Sequence, residues 1–380
     1  MKFKELFHLT NGKFYPDWDK ILSIKEFRDL TLCKQSTVWH KEGDVWCHTV
    51  AVTNEMVNYL YKEVPNVSSE YFVMMVSAAL CHDLGKPSTT WWDEELQEYK
   101  TKCHGQAGEK ITRKLFYDED VELREMVCCM VRNHMILHHI LEKKDKIERL
   151  LKRMSWSRVT VNDMLLLNMC DSFGSKNDVE TRESILEHCD KIRQIALDLG
   201  CYAKPFRFNN KVERRSYFTD IPYDDEFATY DGFTIYMMIG LPGAGKDTYI
   251  KDTFGTAFPV LCRDEIRTEI GLEGVKPQGN KKQEDYVTRI FNKRFLEYCK
   301  ERKSFVINNT NVVKKHRTEF LKMAMEYNPR VLYIYVEADD INKNYDRRRE
   351  FMDTAVIDRM FDRFDFPEPW EYDGLIIERN

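Results

Sequence analysis

No C-x-x-C pair occurs among the eleven cysteines, so their spacing offers neither a zinc ribbon nor a thioredoxin-type redox motif. Cys128 and Cys129 are adjacent within an apolar stretch, which suits buried free thiols, and the set reads as reduced and cytosolic. No apolar run reaches the length of a membrane span. The opening Met1-Lys-Phe-Lys-Glu-Leu-Phe-His8 lacks the long apolar core and small-residue cleavage site of a secretory leader. These absences predict a cytoplasmic protein with no membrane partner. Internal repeats and low-complexity blocks are missing too. A formal charge of −5 is not the mark of a general nucleic-acid binder, although it leaves room for a local basic groove around one strand end. What is present is a chain of 380 residues with 43% apolar content, long for one domain, comfortable for two, and sufficient for real cores.

The most informative stretch is Gly240-Leu-Pro-Gly-Ala-Gly-Lys246-Asp247-Thr248. It follows an apolar run at 233–239 that reads as a buried strand and opens into a helical stretch at 246–253. Strand, glycine loop and helix in that order cradle phosphate: backbone N–H groups point inward, the helix N-terminus adds positive potential, and Lys246 reaches the β/γ-phosphates of a bound nucleotide. Gly240, Gly243, Ala244, Gly245, Lys246, Asp247 and Thr248 form the expected nucleotide-binding set. Asp247 occupies the place where Ser or Thr usually holds Mg²⁺, with Thr248 one place later, as in adenylate-kinase-like loops. Further strands are expected at 259–262, 304–308, 331–336 and 375–377, and helices at 264–270, 281–302, 314–327, 339–349 and 355–364. Such alternation predicts a parallel sheet covered by helices, with ligands at the carboxyl ends of the strands.

Polar residues after those strand ends are therefore candidates. Asp264 could accept a proton from an attacking hydroxyl or could cap a helix. Arg267, three residues on, could hold a substrate phosphate or a surface carboxylate. Asn308-Asn-Thr-Asn311 follows the third strand and carries Asn309 where many P-loop phosphotransferases carry Asp. Asp346-Arg347-Arg348-Arg349 is either a lid over the transferring phosphoryl group or a solvated charge run.

The first half reads helical, with apolar helical spacing at 45–61, 71–80, 111–116, 121–131, 140–154, 161–170 and 185–199, and little strand-like alternation. Histidines concentrate here. His82-Asp83 ends an apolar helix and offers an imidazole and a carboxylate side by side. His48, His104, His134 and Asp171 lie at helix ends or on helix faces, where packing could gather them around the doublet. Lys86 follows the doublet and is either a phosphate-screening group or a solvated loop lysine. His8, His40, His138, His139, His188 and His316 have no matched partner in the pattern and are expected to be ordinary histidines.

The series His48, His82-Asp83, Asp171 resembles the ligand order of the HD phosphohydrolase superfamily. The segments at 39–49, His82-Asp-Leu-Gly-Lys-Pro87, the glycine-spaced His104 segment and Arg132-Asn-His-Met135 look especially like the HD domain appended to bacterial tRNA nucleotidyltransferases, which removes phosphates from RNA 2′,3′ ends. The resemblance implies a metal site of His48, His82, Asp83 and Asp171, with His104 and His134 as ligands to a second ion. This donor set suits Mn, Fe, Co, Ni or Zn; one ion would acidify a water and a second would clamp the phosphate.

The second half resembles the 5′-kinase domain of bacteriophage-type polynucleotide kinases through Gly240–Thr248, Arg263-Asp264 with Arg267, Asn309-Thr-Asn311 and the arginine run before Val356-Ile-Asp-Arg-Met360. The resemblance implies ATP or another NTP with Mg²⁺. It also implies Lys246 on the ATP phosphates, Asp264 activating the 5′-hydroxyl, Arg267 gripping the neighbouring phosphate, and Arg348 as the lid arginine, with Arg347 the alternative. Asp247 and Asn309 depart from the usual metal-binding pattern. The domain order is similar to that of bacterial bifunctional HD polynucleotide kinases.

The expected architecture is multidomain: an all-α HD bundle over 1–200, a packed linker over 201–230, and an α/β P-loop kinase domain with a parallel sheet over 231–380. The expected function is healing of RNA or DNA ends, by NTP-dependent 5′-hydroxyl phosphorylation and metal-dependent hydrolysis of 2′,3′-cyclic or 2′-phosphates. The products would pass to a separate ligase, and a homodimer is compatible with the chain. The alternatives are an HD nucleotide phosphohydrolase fused to a nucleotide or small-molecule kinase, and a regulator in which nucleotide binding gates the HD domain.

Overall fold

The computed structural model describes the chain apart from Thr37, Trp39, residues 143–145, 177–179, 223–231 and 273–279, and Phe351. Trp39 of the 39–49 motif and the end of the expected linker therefore lie outside the described residues. The chain divides into two compact units, Met1–Arg207 and Phe208–Asn380. Among the described residues no helix is long and apolar enough to cross a membrane, and all eleven cysteines are free.

The first unit is a helical bundle. Its helices start where short polar side chains satisfy the unpaired N–H groups of a first turn: Asp44 accepts from Cys47 N, Ser68 from Tyr71 N and Asp120 from Leu123 N. Thr160 and Asp163 cap each other's backbones reciprocally. Each cap is worth about 1 kcal/mol. The helix Ser69–Cys81 is buried continuously from Phe72 to Cys81, the pattern of a helix enclosed on all sides. It packs against Val45–Glu63, Val121–Asn133 and Val161–Gly174, so the chain leaves it at His82 deep inside the unit.

Glycines set how closely the next elements approach. A Cβ on Gly85 would lie 2.0 Å from the His104 carbonyl oxygen, and one on Gly105 would lie 2.6 Å from the Arg132 carbonyl oxygen. Only glycine lets the turn after Asp83, the helix His104–Leu115 and the end of Val121–Asn133 touch. A buried ionic group locks those two helices together. Arg113 Nη2 donates to Glu109 Oε1 and to Glu125 Oε2, each at 2.7 Å, and Arg113 Nε donates to Glu125 Oε1 at 3.0 Å.

Two features differ from the sequence reading. The unit contains two antiparallel hairpins, Phe7–Thr10 with Lys13–Pro16 and Thr90–Asp93 with Glu98–Thr101. The first turns on Asn11-Gly12, both at positive φ (50° and 75°), a strong hairpin signal that the helical periodicity obscures. The helix expected over 140–154 is shorter, Ile147–Met154. It is preceded by the 3-10 turn His134–Ile136, which redirects the chain at the site.

The second unit is built on a five-stranded, wholly parallel sheet. In chain order the strands are Thr234–Ile239, Val260–Leu261, Phe305–Ile307, Arg330–Glu337 and Gly374–Arg379, and their spatial order is 2-3-1-4-5. The first strand is central, and the order reverses beside it, so the crevice at its carboxyl end is where such a sheet binds ligands. The expected linker over 201–230 is partly structured: Lys211–Thr219 is a helix capped by Asn210, and Arg215 bonds Asp373 and the Pro329 carbonyl within this unit.

One fully buried ion pair ties the sheet to its flanking segments. Arg317 Nε donates to Glu371 Oε2 at 2.7 Å and Nη2 to Glu371 Oε1 at 3.0 Å, while Nη1 bonds the Asn311 carbonyl at 3.0 Å. Asn311 Nδ2 in turn bonds the Met238 carbonyl at 2.8 Å, just before the glycine loop. Removing one member of such a pair leaves a buried charge behind. Arg317→Met is therefore expected to cost roughly 3–5 kcal/mol, read as an earlier urea transition of the second unit. A transition within error of wild type would show that the pair is dispensable.

Candidate metal centre and phosphate-binding site

The packing of the first unit brings together all six sequence-predicted ligands. His48 Nε2 is 2.9 Å from Asp171 Oδ1 and 3.8 Å from Asp83 Oδ2. His82 Nε2 approaches Asp83 Oδ2 to 3.2 Å and Asp171 Oδ1 to 3.6 Å without hydrogen-bond geometry. On the other side of Asp83, Oδ1 lies 3.5 Å from His104 Nε2 and 3.9 Å from His134 Nε2, and has no hydrogen-bond partner among the described residues.

The tautomers follow from the backbone. His82 Nδ1 donates to the Ala79 carbonyl at 2.8 Å and His134 Nδ1 to the Val131 carbonyl at 2.7 Å. Whenever such a ring is neutral, its proton on Nδ1 leaves the Nε2 lone pair facing a cluster that already holds carboxylates. His104 Nε2 lies 2.9 Å from His134 Nε2, so one proton is shared between those rings, but His82 Nε2 and Asp83 Oδ1 have no hydrogen-bond partner among the described residues, an arrangement that a cation would satisfy. Three sets have donor atoms mutually within 4.8 Å: one is His40, Glu42 and His48, and the other two are His48, His82 and Asp83, and Asp83, His104 and His134. Asp83 belongs to both of the last two, so the residues fit either one ion or two sharing that carboxylate.

The charges agree with this. Burial alone would raise the Asp83 and Asp171 carboxyls, but His82 beside both, and Lys86 beside Asp83, hold them well below the usual carboxylate range. Burial and then the His104 charge push His134 down to about 3, so it is a neutral imidazole at physiological pH. Burial opposes a charge on His48, and Asp171 and Glu42 outweigh it, lifting the ring to about 9. Each of these groups sits ready as carboxylate or imidazole, with His48 the exception that a bound cation would reverse.

Lys86 is not a solvated lysine. It is buried, 2.7 Å from Asp83 Oδ2, and donates to Gln35 Oε1 at 3.1 Å. Four histidines expected to be ordinary, His40, His138, His139 and His188, line the cavity beside these residues. His138 Nε2 is 3.0 Å from Asp171 Oδ2. His40 Nδ1 is 2.8 Å from Glu42 Oε1, whose other neighbour is His48 Nδ1 at 3.0 Å. His188 bonds the Leu137 carbonyl at 3.0 Å and lines the same cavity as His40, His138 and His139. Glu42 itself was missed by the sequence reading; a carboxylate six residues before a ligand histidine carries no pattern of its own. The cavity measures about 490 Å³. Its lining includes Lys86 and Lys100, whereas Arg132 bonds Glu109 at 2.6 Å instead.

In the second unit the glycine loop runs from the central strand into the helix Lys246–Thr253. A Cβ on Gly240 would meet the Val336 carbonyl oxygen at 2.3 Å, and Gly245 has φ +99°. Lys246 Nζ donates to the Gly240 and Leu241 carbonyls at 3.0 and 2.9 Å, and desolvation there lowers its pKa to about 8. Asn308 Nδ2 donates to Asp247 Oδ1 at 2.7 Å, so Asp247 faces the end of the third strand, and Thr248 beside it is exposed. Asn309 Oδ1 accepts from Arg263 N at 3.2 Å and thereby anchors the helix Arg263–Glu269.

Asp264 is not that helix's cap. Cys262 holds the cap position and Asp264 the second helical residue, where its side chain is 88% exposed and ion-paired with Arg267. Arg267 is only 12% exposed and is held by Glu284 through Nε–Oε1 at 2.8 Å and Nη2–Oε2 at 2.9 Å. The arginine run is not a uniformly solvated face. On the helix Ile341–Arg348, Arg347 Nη1 donates to the Gly243 carbonyl at 2.9 Å and Arg348 Nη2 lies 3.8 Å from Asp247 Oδ2. Arg349 turns away to Asp346 at 2.6 Å.

Comparison with known proteins gives a match in each unit. Residues 74–160 match the HD domain family model, and residues 235–367 match an AAA domain family model of P-loop kinase-like character. The chain thus carries an HD domain within a helical region, followed by an α/β domain with the P-loop kinase fold. A crystal structure of a kinase candidate from Chloroflexus aurantiacus J-10-fl aligns over 39% of this chain and 85% of its own, at 14% identity and a TM-score of 0.31, a similarity that carries no functional argument.

Glu42 Oε1 stands behind the His48 ring, 3.0 Å from Nδ1, and outer partners of a ligand histidine are worth about 10–100-fold in metal affinity. Glu42→Gln is expected to weaken Mn²⁺ or Co²⁺ binding by about that factor, measured by calorimetric titration of chelator-treated protein. Unaltered affinity would mean that Glu42 does not orient His48.

Proposed function

We propose that the chain is a bifunctional enzyme that heals nucleic-acid ends, with a metal-dependent phosphohydrolase in Met1–Arg207 and a 5′-hydroxyl kinase in Phe208–Asn380. The observation that carries the kinase half is Asp264. It is exposed at the carboxyl edge of the sheet, free of any capping duty, and paired with an arginine. A carboxylate so placed accepts the proton of an acceptor hydroxyl as that oxygen takes the γ-phosphoryl group. Lys246 exchanges the Gly240 and Leu241 carbonyls for the nucleotide's phosphates, and the loop from Gly240 through Gly243, Ala244 and Gly245 to Asp247 and Thr248 wraps them. Arg348, facing Asp247, neutralises the transferring group; Arg347 braces the loop. Arg267 grips the substrate phosphate beside the hydroxyl.

In the phosphohydrolase, His48, His82, Asp83 and Asp171 hold one transition-metal ion, and His104 and His134 extend the set to a second. When bound, such ions supply a Lewis acid and an activated water. Lys86 balances charge at Asp83, and His138 orients Asp171. The substrate we infer is a 2′,3′-cyclic phosphate or 2′-phosphate at an RNA end. A free triphosphate carries more charge than Lys86 and Lys100 answer among the cavity's described residues.

A second reading, a nucleotide or small-molecule kinase fused to a nucleotide phosphohydrolase, draws support from Glu284, which already occupies Arg267 on the acceptor side. Labelled ATP offered with a 5′-hydroxyl oligonucleotide and with a panel of nucleosides decides between them, since label on nucleosides alone would sink the end-healing reading. Lys246→Ala should abolish transfer and spare phosphate release, Asp83→Ala the reverse, and joint loss in folded protein would refute independent sites. The phosphohydrolase, assayed in Lys246→Ala, should open RNA 2′,3′-cyclic phosphates with little action on dNTPs. Chelation should stop it, and Mn, Co or Ni should restore it better than Mg. Asp264→Asn should slow transfer by roughly 10²-fold or more, the scale of general-base catalysis, with an unshifted melting temperature. Near-normal transfer would remove Asp264 from the chemistry.

A further inference from the structure

The hairpin Thr90–Asp93 with Glu98–Thr101 borders the metal cavity, yet nothing in the chemistry above uses its aromatic residues. Trp92 and Tyr99 are cross-strand partners with ring centroids 4.9 Å apart and planes at 66°. Trp91 and Trp92 remain 48% and 41% exposed, on a four-residue strand that gains little from burying them. Trp92 and Tyr99 line a second cavity of about 580 Å³, together with Leu32, Lys34, Gln35 and Glu98.

Gln35, Glu98 and Tyr99 also line the metal cavity, so the two cavities share walls. Gln35 is in addition the partner of Lys86, whose ammonium contacts Asp83. An occupant of the metal cavity that extends beyond one nucleotide therefore has an aromatic surface at its next position, with Lys34 nearby. Glu98 does not oppose it, being paired with Lys100 and accepting from Ser36 at 2.9 Å. Half-exposed aromatic rings beside a phosphate site are what single-stranded RNA uses: unpaired bases stack on them, and every base has a face to offer.

We propose that the Trp92–Tyr99 face is a base-stacking subsite, which holds the nucleobase next to the RNA terminus whose phosphate enters the metal cavity. The proposal rests on the end-healing reading of this site and deepens it, since it makes a polynucleotide end a better substrate than a mononucleotide.

The test compares wild type, Trp92→Ala and Trp92→Phe on two substrates. One is an RNA oligonucleotide ending in a 2′,3′-cyclic phosphate; the other is the matching nucleoside 2′,3′-cyclic phosphate, which has no neighbouring base. Trp92→Ala should raise KM on the oligonucleotide roughly 5- to 150-fold, the worth of one stacked base, with kcat and the mononucleotide reaction unchanged. Trp92→Phe should recover most of the loss. A merely structural Trp92 would affect both substrates alike, and that result overturns the proposal. A parallel anisotropy titration with labelled, 5′-phosphorylated RNA bearing a 3′-hydroxyl reads binding without hydrolysis. If wild type leaves cyclic ends intact while Trp92→Ala still weakens this binding, the end-healing reading fails and the stacking subsite stands. If wild type opens the ends and Trp92→Ala changes neither measurement, the subsite fails and the reading stands. Indifference of Trp92→Ala in both RNA measurements is also the outcome expected if the face serves a protein partner.

Discussion

A carboxylate buried at the end of an apolar helix must be neutralised, and the first unit is arranged around that need at Asp83. The helix Ser69–Cys81 delivers it to the interior, where Lys86, His82, His104 and His134 surround it. A single lysine contact answers the charge on one oxygen. The other oxygen faces the Nε2 atoms of His104 and His134 and has no hydrogen-bond partner among the described residues. Since the backbone fixes the proton of His134 on Nδ1, that ring cannot answer it as a neutral donor, and His104 Nε2 is turned to His134 Nε2 at 2.9 Å. The arrangement is one that a cation could satisfy.

The supporting structure keeps that arrangement at fixed distances. Gly85 and Gly105 permit backbone approaches that any side chain would prevent, and the Glu109–Arg113–Glu125 group holds the helix that begins at His104 in register with the one that ends just before His134. Buried ion pairs of this kind add little net stability, because desolvation offsets their attraction, but a broken one is costly. Their effect is to penalise any sliding of the helices, and therefore any displacement of His104 from His134.

The second unit solves a different electrostatic problem, the gathering of several negative charges. It does so with backbone dipoles around the glycine loop and a few cations held on short leashes. Lys246 rests on carbonyls of the loop, Arg347 on another, and Arg348 opposite Asp247. None of these cations is fully desolvated against a buried carboxylate, so a polyanion can take them over. Arg267 is the contrast, because Glu284 holds it bidentately and a phosphate would have to compete.

The sequence by itself determined the two-part architecture, the parallel sheet, the glycine loop and the six histidine and aspartate residues that the fold gathers. These are legible because each rests on local pattern: apolar period, the glycine–lysine spacing, and a His-Asp doublet closing an apolar run. Tertiary structure alone decided the rest. Glu42, His40 and His138 join the site through contacts between residues far apart in the chain or between side chains with no periodic signature, so no spacing rule could reach them. The burial of Lys86 depends on Gln35, fifty-one residues away. Whether Asp264 capped a helix turned on a two-residue difference in where that helix begins, which hydrogen bonding to the third strand's loop fixes through Asn309. The aromatic hairpin beside the metal cavity escaped the sequence altogether, because Trp92 and Tyr99 acquire a shared surface only when their strands pair.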